Sequence, residues 1–302
     1  MNRESSIQGY VGKDSSGLNK RVAKELLDKQ FKTQEEMDSI KDREKTPIEI
    51  EIINFVNEAT NKLLADYGIE SFDVPLKNVH IIEKQDWKDK HLAGGHVPLY
   101  QSIEIREHSQ KIVMASLLFH EMLHFKSYNS VELKNGKIEP LRTGLKTHTR
   151  PEGKPIFTFL NEAVVSELQK RFVATLDDNP LFKDETERTK AIIAKSKTLQ
   201  EMEGLYYAEE GRDSTTFITA DSGFYKEQRR ISMLLMEKIK QKNSENFANT
   251  EEVFTMFVKG LFSSNLLQIG KLIDKSFGTG TYRKIADLGN DLKNLREYIE
   301  KL

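Results

Sequence analysis

The chain has no cysteine among its 302 residues. This absence excludes disulfide bonds and thiolate metal ligands, so any transition-metal ion would have to be held by histidine and carboxylate side chains. Such ligand sets are typical of catalytic zinc sites rather than structural ones. The lack of cysteine does not by itself indicate a compartment.

Neither sign of charge is in excess, because 46 Lys and Arg residues nearly balance 47 Asp and Glu residues. We therefore expect neither a nucleic acid nor a membrane as partner. Apolar runs long enough to cross a membrane are lacking, and the first ten residues have no apolar core of a secretory signal. The expected location is the cytoplasm, and the oligomeric state is left open.

The pattern His-Glu-Met-Leu-His at residues 120–124 is the main chemical feature of the chain. Residues four apart lie on one face of a helix, so His120 and His124 would converge while Glu121 projects beside them. The surrounding segment 112–125 is apolar on nearly every side, which predicts a buried helix. Because burying these three polar side chains is costly without partners, we predict a metal site. A chance match is the alternative.

A catalytic zinc site uses three protein ligands, and Glu162 is the candidate for the third. The metzincin pattern is excluded, because Ser127 and Ser130 stand where its glycine and histidine would be. The gluzincin pattern, which this region resembles, implies a glutamate from a second helix tens of residues downstream. Glu162 follows His124 by 38 residues and would begin a helix over 161–173 that packs on the metal helix. An ordinary glutamate favoured by the helix dipole is the other interpretation.

Residues 118–124 together with residues 160–163 resemble the gluzincin family of zinc metallopeptidases. The sequence Asn161-Glu162-Ala163 is similar to the region of the third ligand in gluzincin aminopeptidases and in minigluzincin-type proteins. The resemblance covers roughly residues 75–175. It implies a zincin-like fold, one zinc ion on His120, His124 and Glu162, and hydrolysis of peptide substrates with Glu121 as general base.

The same resemblance implies a substrate site and an oxyanion donor. The strand before the metal helix would be an edge strand that binds substrate as an added strand, which assigns substrate contacts to Ile103, Glu104 and Ile105. The candidates for the oxyanion donor are Tyr225, His148 and Arg142. Arg142 is also a candidate for substrate binding. Their ordinary alternatives are an aromatic anchor at a helix start, an exposed loop histidine and a clamp for the loop.

Two departures from the family pattern concern the surroundings of the zinc. Thermolysin-like enzymes carry an Asp four residues after the third ligand to orient the first histidine, and Ser166 stands there instead. Glu167, another carboxylate or a water molecule would take that role. The amine-binding Gly-x-Met-x-Asn motif of aminopeptidases is also missing, since residues 92–96 read Leu-Ala-Gly-Gly-His.

The predicted fold class is α+β. A zincin-like catalytic domain over 46–175, with a small twisted sheet and the active-site helix, would be followed by a mainly helical subdomain over 176–302 that completes the cleft. Residues 1–45 would form a polar, partly mobile segment with one helix near 21–31. The remaining predictions are a helix from Thr46-Pro47 to Gly68, strands at 79–83 and 102–106, a turn at Gly94-Gly95, an irregular connection over 127–158, and helices at 161–173, 185–209, 223–242, 250–262, 265–276 and 290–301. Four further histidines lack ligand spacing and are assigned to surface or strand positions: His80, His91, His96 and His108.

Two other functions stay open at this point. The first is a zinc-binding module of the same fold that has lost catalysis and serves binding or regulation. The second is a helical structural protein with a fortuitous motif. The intact Glu121 argues against the first, and the Asn161-Glu162 match argues against the second.

Overall fold

The computed structural model describes residues 7–11, 42–88, 93–99, 101–134, 137–148, 155–202, 204–211, 216–221 and 225–302. Over these residues the chain is a mixed α+β protein, as predicted. The helix predicted near 21–31 lies outside them. None of the described helices is both long and apolar enough to span a membrane.

The first helix, α1 (Pro47–Asp66), begins where the sequence predicts. The Thr46 hydroxyl accepts a hydrogen bond from the Glu49 N–H, and the Glu49 carboxylate accepts one from the Thr46 N–H at 2.8 Å. These reciprocal bonds form a capping box that satisfies two otherwise unpaired donors. Gly68, at φ 71°, follows the last turn. This prediction is therefore confirmed.

A three-stranded sheet follows, made of β2 (Val79–Ile82), β3 (Gly94–Val97) and β4 (Ser102–Arg106), and β1 (Ile7–Val11) belongs to another sheet. The order is β2-β4-β3, with β2 parallel and β3 antiparallel to β4. The central position of β4 contradicts the expectation that it is the edge strand. The turn predicted at Gly94-Gly95 is also wrong, because pairing with β4 draws both glycines into β3.

The metal helix of the sequence analysis is α2 (Lys111–Lys126), and it is buried on nearly all sides. It packs against α1, β3 and β4. At its N-terminus the Glu185 carboxylate accepts hydrogen bonds from the Lys111 and Ile112 N–H groups, both at 3.0 Å. A carboxylate at this end also suits the helix dipole. The N-terminus of α2 is thus capped by Glu185, a residue far away in the sequence.

The connection after α2 is a sheet, and the irregular segment predicted over 127–158 is wrong in this respect. Its strands are β5 (Asn129–Lys134), β6 (Lys137–Thr143), β7 (Lys146–His148) and β8 (Pro155–Ile156). The order is β1-β5-β6-β7-β8, and only the β1–β5 pair is parallel. This meander returns the chain to α3 (Thr158–Val173), which packs beside α2.

The remainder is mainly helical. It comprises α4 (Lys183–Lys195), α5 (Lys197–Gln200), the hairpin β9 (Leu205–Glu210) and β10 (Phe217–Asp221), α6 (Lys226–Lys242), α7 (Thr250–Phe262), α8 (Leu266–Phe277), α9 (Thr281–Leu288) and α10 (Leu292–Glu300). The helix predicted at 250–262 has those bounds. The single helix predicted at 185–209 is wrong, because the chain leaves the helix at Ser196 and later pairs as β9. One cluster of buried apolar side chains runs from α1 to α10.

Candidate metal centre

Helix α2 carries two of the three predicted ligands on one face, and α3 carries the third. The Nε2 atoms of His120 and His124 lie 3.0 Å apart. The Glu162 Oε2 atom lies 3.3 Å from each of them. A tetrahedral zinc ion with bonds of about 2.0–2.1 Å holds its donor atoms about 3.3 Å apart. The separations and the donor types therefore fit a zinc ion.

Glu162 does not lie where an ordinary helix-capping glutamate would. Helix α3 begins at Thr158, after Phe157 in a left-handed conformation with φ 59°. The sequence predicted Glu162 in the first turn of this helix. In the structure it lies in the second turn of α3, and the first turn has no acidic residue. The helix dipole acts mainly on the terminal turn. Contact with the two histidines explains the position of Glu162 better.

The charges in the cluster favour an anionic Glu162 and a less acidic Glu121. Burial opposes ionisation of Glu162, but the His124 and His120 rings outweigh burial and hold its pKa well below the usual range. Burial raises the pKa of Glu121, and the two histidines offset that shift only in part. His120, Glu121 and His124 are each only 7% exposed. The two carboxylates thus differ in character because their surroundings differ.

His120 is oriented by the side-chain amide of Gln169, not by the Glu167 carboxylate that the sequence suggested. The Nδ1 atom of His120 lies 3.1 Å from the Gln169 side-chain oxygen. Glu167 instead accepts a hydrogen bond from Arg171 at 3.1 Å. The buried Ser166 hydroxyl has no partner among the described residues. Gln169 could have been found from its spacing, since it follows Glu162 by two helical turns.

His124 is contacted by Asn161, the residue before the third proposed ligand. The Asn161 Nδ2 atom lies 3.3 Å from His124 Nδ1. The oxygen of the same amide accepts a hydrogen bond from the Leu145 N–H at 2.9 Å. Leu145 follows Gly144 in the turn between β6 and β7. The meander therefore helps to position the side chain that faces His124.

Of the three candidate oxyanion donors, only Tyr225 reaches the cluster. Its ring stacks on His120 with centroids 5.9 Å apart and planes at 11°. Its hydroxyl is hydrogen-bonded to Glu162, and burial together with the Glu162 and Glu121 charges raises its pKa. The phenol therefore stays protonated at neutral pH and can donate. Tyr225 directly precedes α6, so the helical part of the chain contributes to the centre.

The other two candidates lie elsewhere. Arg142 donates to the Gly144 carbonyl at 2.5 Å and to the Gly260 carbonyl at 2.6 Å, and its guanidinium lies 4.8 Å from the centre of the Tyr128 ring. It clamps the meander to α7, which was the alternative interpretation. His148 ends β7, and in the described part of the chain no hydrogen bond or ion pair links it to the cluster. Neither position supports the role predicted for it.

Strand β3 supplies contacts to Glu121 that the sequence does not predict. The His96 N–H donates a hydrogen bond to the Glu121 carboxylate. A Cβ atom added at Gly94 would lie 3.4 Å from Glu121 Cγ, so the strand passes close to this side chain. Burial, the His124 ring and Lys146 lower the pKa of His96 to about 3. His96 is therefore neutral, and its position depends on a pairing that the sequence does not reveal.

The predicted substrate residues on β4 do not form an edge. Ile103 and Ile105 are buried between β2 and β3, and Glu104 is paired with residues on both sides through the backbone. Of the histidines predicted at surface or strand positions, His80 lies in β2 and His96 in β3, whereas His108 is half-buried after the end of β4. His80 pairs with Asp42 at 3.0 Å, and burial lowers the pKa of His108 to about 4. His91 lies outside the described residues.

No protein-family model matches the chain, and no curated protein or solved structure matches it either. Function is therefore inferred from the chemistry and geometry of the cluster.

Proposed function

We propose that the protein is a zinc-dependent peptidase of the gluzincin type, with a zincin-like catalytic part over 46–175. The observation that carries this proposal is the triangle of His120, His124 and Glu162 donor atoms, with sides of 3.0, 3.3 and 3.3 Å. A zinc ion held there would polarise a carbonyl group and lower the pKa of water from about 15.7 toward about 7.

Glu121 is the proposed general base. A buried carboxylate with a raised pKa beside two histidines is suited to accept a proton from water and to deliver it to the leaving amine. The hydrogen bond from the His96 N–H fixes the carboxylate in direction. Tyr225 is the proposed oxyanion donor, because its protonated hydroxyl already lies within hydrogen-bond reach of Glu162.

The outer edge of β3 is the proposed substrate edge, in place of β4. The Arg106 N–H donates to the Ala93 carbonyl at 2.9 Å, so in this antiparallel pair the backbone of Gly95 also faces β4. The backbone groups of Gly94 and the His96 carbonyl then point away from β4 and can pair with a peptide, while the His96 N–H on the same side is bonded to Glu121. Among the described strands none pairs with that side. A peptide added there would run beside Glu121.

One observation favours the second candidate, a zinc-binding module without catalysis. The two histidines and Glu121 are each only 7% exposed, and a peptide must reach the ion to be cleaved. A buried site that never opens would serve stability or regulation instead. Both candidates use the same three ligands, so they differ only in hydrolysis.

The test compares the parent protein with Glu121→Gln and with Glu58→Gln, a matched change at an exposed position of α1. Zinc content is measured by elemental analysis, and hydrolysis with a fluorogenic peptide library. We expect one zinc per chain in all three proteins and a loss of about 10²–10⁴ in rate for Glu121→Gln alone.

Three results would change this conclusion. A zinc-loaded parent protein that cleaves no peptide favours the non-catalytic module. Equal hydrolysis by the parent and Glu121→Gln contradicts the role of the base. A parent that takes up no zinc, with His120→Ala behaving like it in metal uptake and stability, contradicts both candidates.

A further inference from the structure

We propose that Gln169 is the positioning residue for His120. It holds the imidazole in the form that leaves the Nε2 lone pair facing Glu162 and His124, and it does so without adding a negative charge. This inference rests on the proposed zinc site, and it concerns the orientation of one ligand and the zinc affinity that results.

The orientation of the Gln169 amide is fixed by Ser116. The Gln169 Nε2 group donates to the Ser116 carbonyl at 3.1 Å and to the Ser116 hydroxyl at 2.9 Å. A backbone carbonyl can only accept, so the amide nitrogen must face Ser116. The amide oxygen then faces His120 Nδ1, at 3.1 Å.

An amide oxygen can only accept as well, so His120 must carry a proton on Nδ1. In the neutral ring this places the free lone pair on Nε2, which lies 3.3 Å from the Glu162 oxygen. A metal ion would therefore bind this ring through Nε2, the nitrogen that faces Glu162 and His124. Because Ser116 precedes His120 by one helical turn on α2, the histidine and the anchor of its partner move together.

The neutrality of the amide has a chemical consequence. A histidine that donates its second N–H to a carboxylate becomes a more basic ligand, and loss of such a partner typically costs about 10–100-fold in metal affinity. Gln169 gives the orientation without that charge. His120 would then be a less basic ligand, and a bound divalent ion would keep more of its positive charge for the reacting groups.

The experiment measures zinc affinity at pH 7 by competition with a chromogenic chelator, for the parent, Gln169→Leu, Gln169→Glu and Ser166→Ala. We expect Gln169→Leu to bind zinc about 10–100-fold more weakly. Gln169→Glu keeps an acceptor toward His120 and should bind at least as tightly as the parent. Ser166→Ala is the matched control on the same helix, because the Ser166 hydroxyl has no partner among the described residues, and its affinity should be unchanged.

A second readout needs no metal. Nitrogen-15 NMR of the imidazoles in the chelator-treated parent should show His120 protonated on Nδ1, and Gln169→Leu should lose that preference. The inference is overturned if His120 lacks the Nδ1 proton in the parent, if Gln169→Leu binds zinc as well as the parent, or if Gln169→Glu binds as weakly as Gln169→Leu. A parent that binds no zinc contradicts the proposed function, while the NMR result still decides the role of Gln169.

Discussion

At the scale of single residues, Gly144 supports His124 through one intermediate side chain. Its φ of 60° is a left-handed conformation that favours glycine. A Cβ atom there would collide with the side-chain oxygen of Asn161. The same amide lies 3.3 Å from His124 Nδ1. The conformation of this turn and the environment of the proposed ligand are therefore coupled.

Gly144→Ala should weaken zinc binding as well as folding. The left-handed backbone costs about 1–2 kcal/mol for a residue with a Cβ atom, and displacement of Asn161 should lower zinc affinity about tenfold or more. Gly68→Ala is the matched control, since Gly68 also has a positive φ, 71°, but an added Cβ meets nothing within 4 Å. It should lose only the stability that the left-handed backbone costs, and it should keep its affinity. Equal zinc affinities in the two variants, measured by chelator competition, would contradict this coupling.

Some site residues can be predicted from their sequence neighbours, and others depend on contacts between distant parts of the chain. His120, Glu121 and His124 share one helical turn, so their spacing alone predicts their geometry. Glu162 needed a match to a second helix, and the structure brings it to the pair. The contacts of Gln169 depend on which face of α3 meets α2, and those of His96 depend on strand pairing. Neither face nor pairing can be read from one sequence.

At the scale of elements, α2 ends in a buried lysine. Lys126 is 2% exposed, and its ammonium group donates to Thr60 at 2.6 Å and to Asn61 at 2.8 Å on α1. Burial lowers its pKa to about 7. These two hydrogen bonds offset only part of the free energy that desolvation of the ammonium group costs, so the pKa stays lowered. The junction of α1 and α2 is therefore a point where stability depends on pH.

Lys126→Met should change the pH dependence of folding. The unfolded chain has a Lys pKa of about 10.4 and binds a proton below it, whereas the folded protein binds this proton only below about pH 7. Between these values the unfolded state holds more protons, so stability rises with pH, by on the order of 1 kcal/mol per unit. Urea unfolding at pH 7 and pH 9 should show this rise in the parent and in the exposed control Lys293→Met, and a smaller rise in Lys126→Met. Identical slopes in all three proteins would contradict the buried, shifted lysine.

Elements with a strong local signal were predicted better than those that depend on pairing. Thr46-Pro47 marks the start of α1 through capping, and 250–262 has clear helical periodicity. The strand β3 starts with two glycines, which locally indicate a turn. The strands of the meander over 129–156 are short and polar, and they exist because each has a neighbour. The hairpin strand β9 was absorbed into a predicted helix for the same reason.

At the scale of the whole molecule, the proposed zinc site joins parts of the chain that are far apart in sequence. Two ligands lie on α2 and one lies on α3, while Tyr225 at the start of α6 covers His120. A ligand that binds only this folded arrangement stabilises the protein by mass action. The ion would therefore act on the folding of the complete chain, through the single apolar core that its helices share.

Zinc at 100 times its dissociation constant should raise the free energy of unfolding by about 2.7 kcal/mol, and a chelator should remove this increment. His120→Ala should show no increment, because one of three ligands is missing. His148→Ala is the control, since His148 lies on β7 without a link to the cluster in the described part of the chain, and it should keep the full increment. The increment should also fall as pH drops, because the histidines must lose their protons to bind the ion. Urea unfolding with and without zinc measures these differences, and an increment that survives in His120→Ala would place the metal elsewhere in the protein.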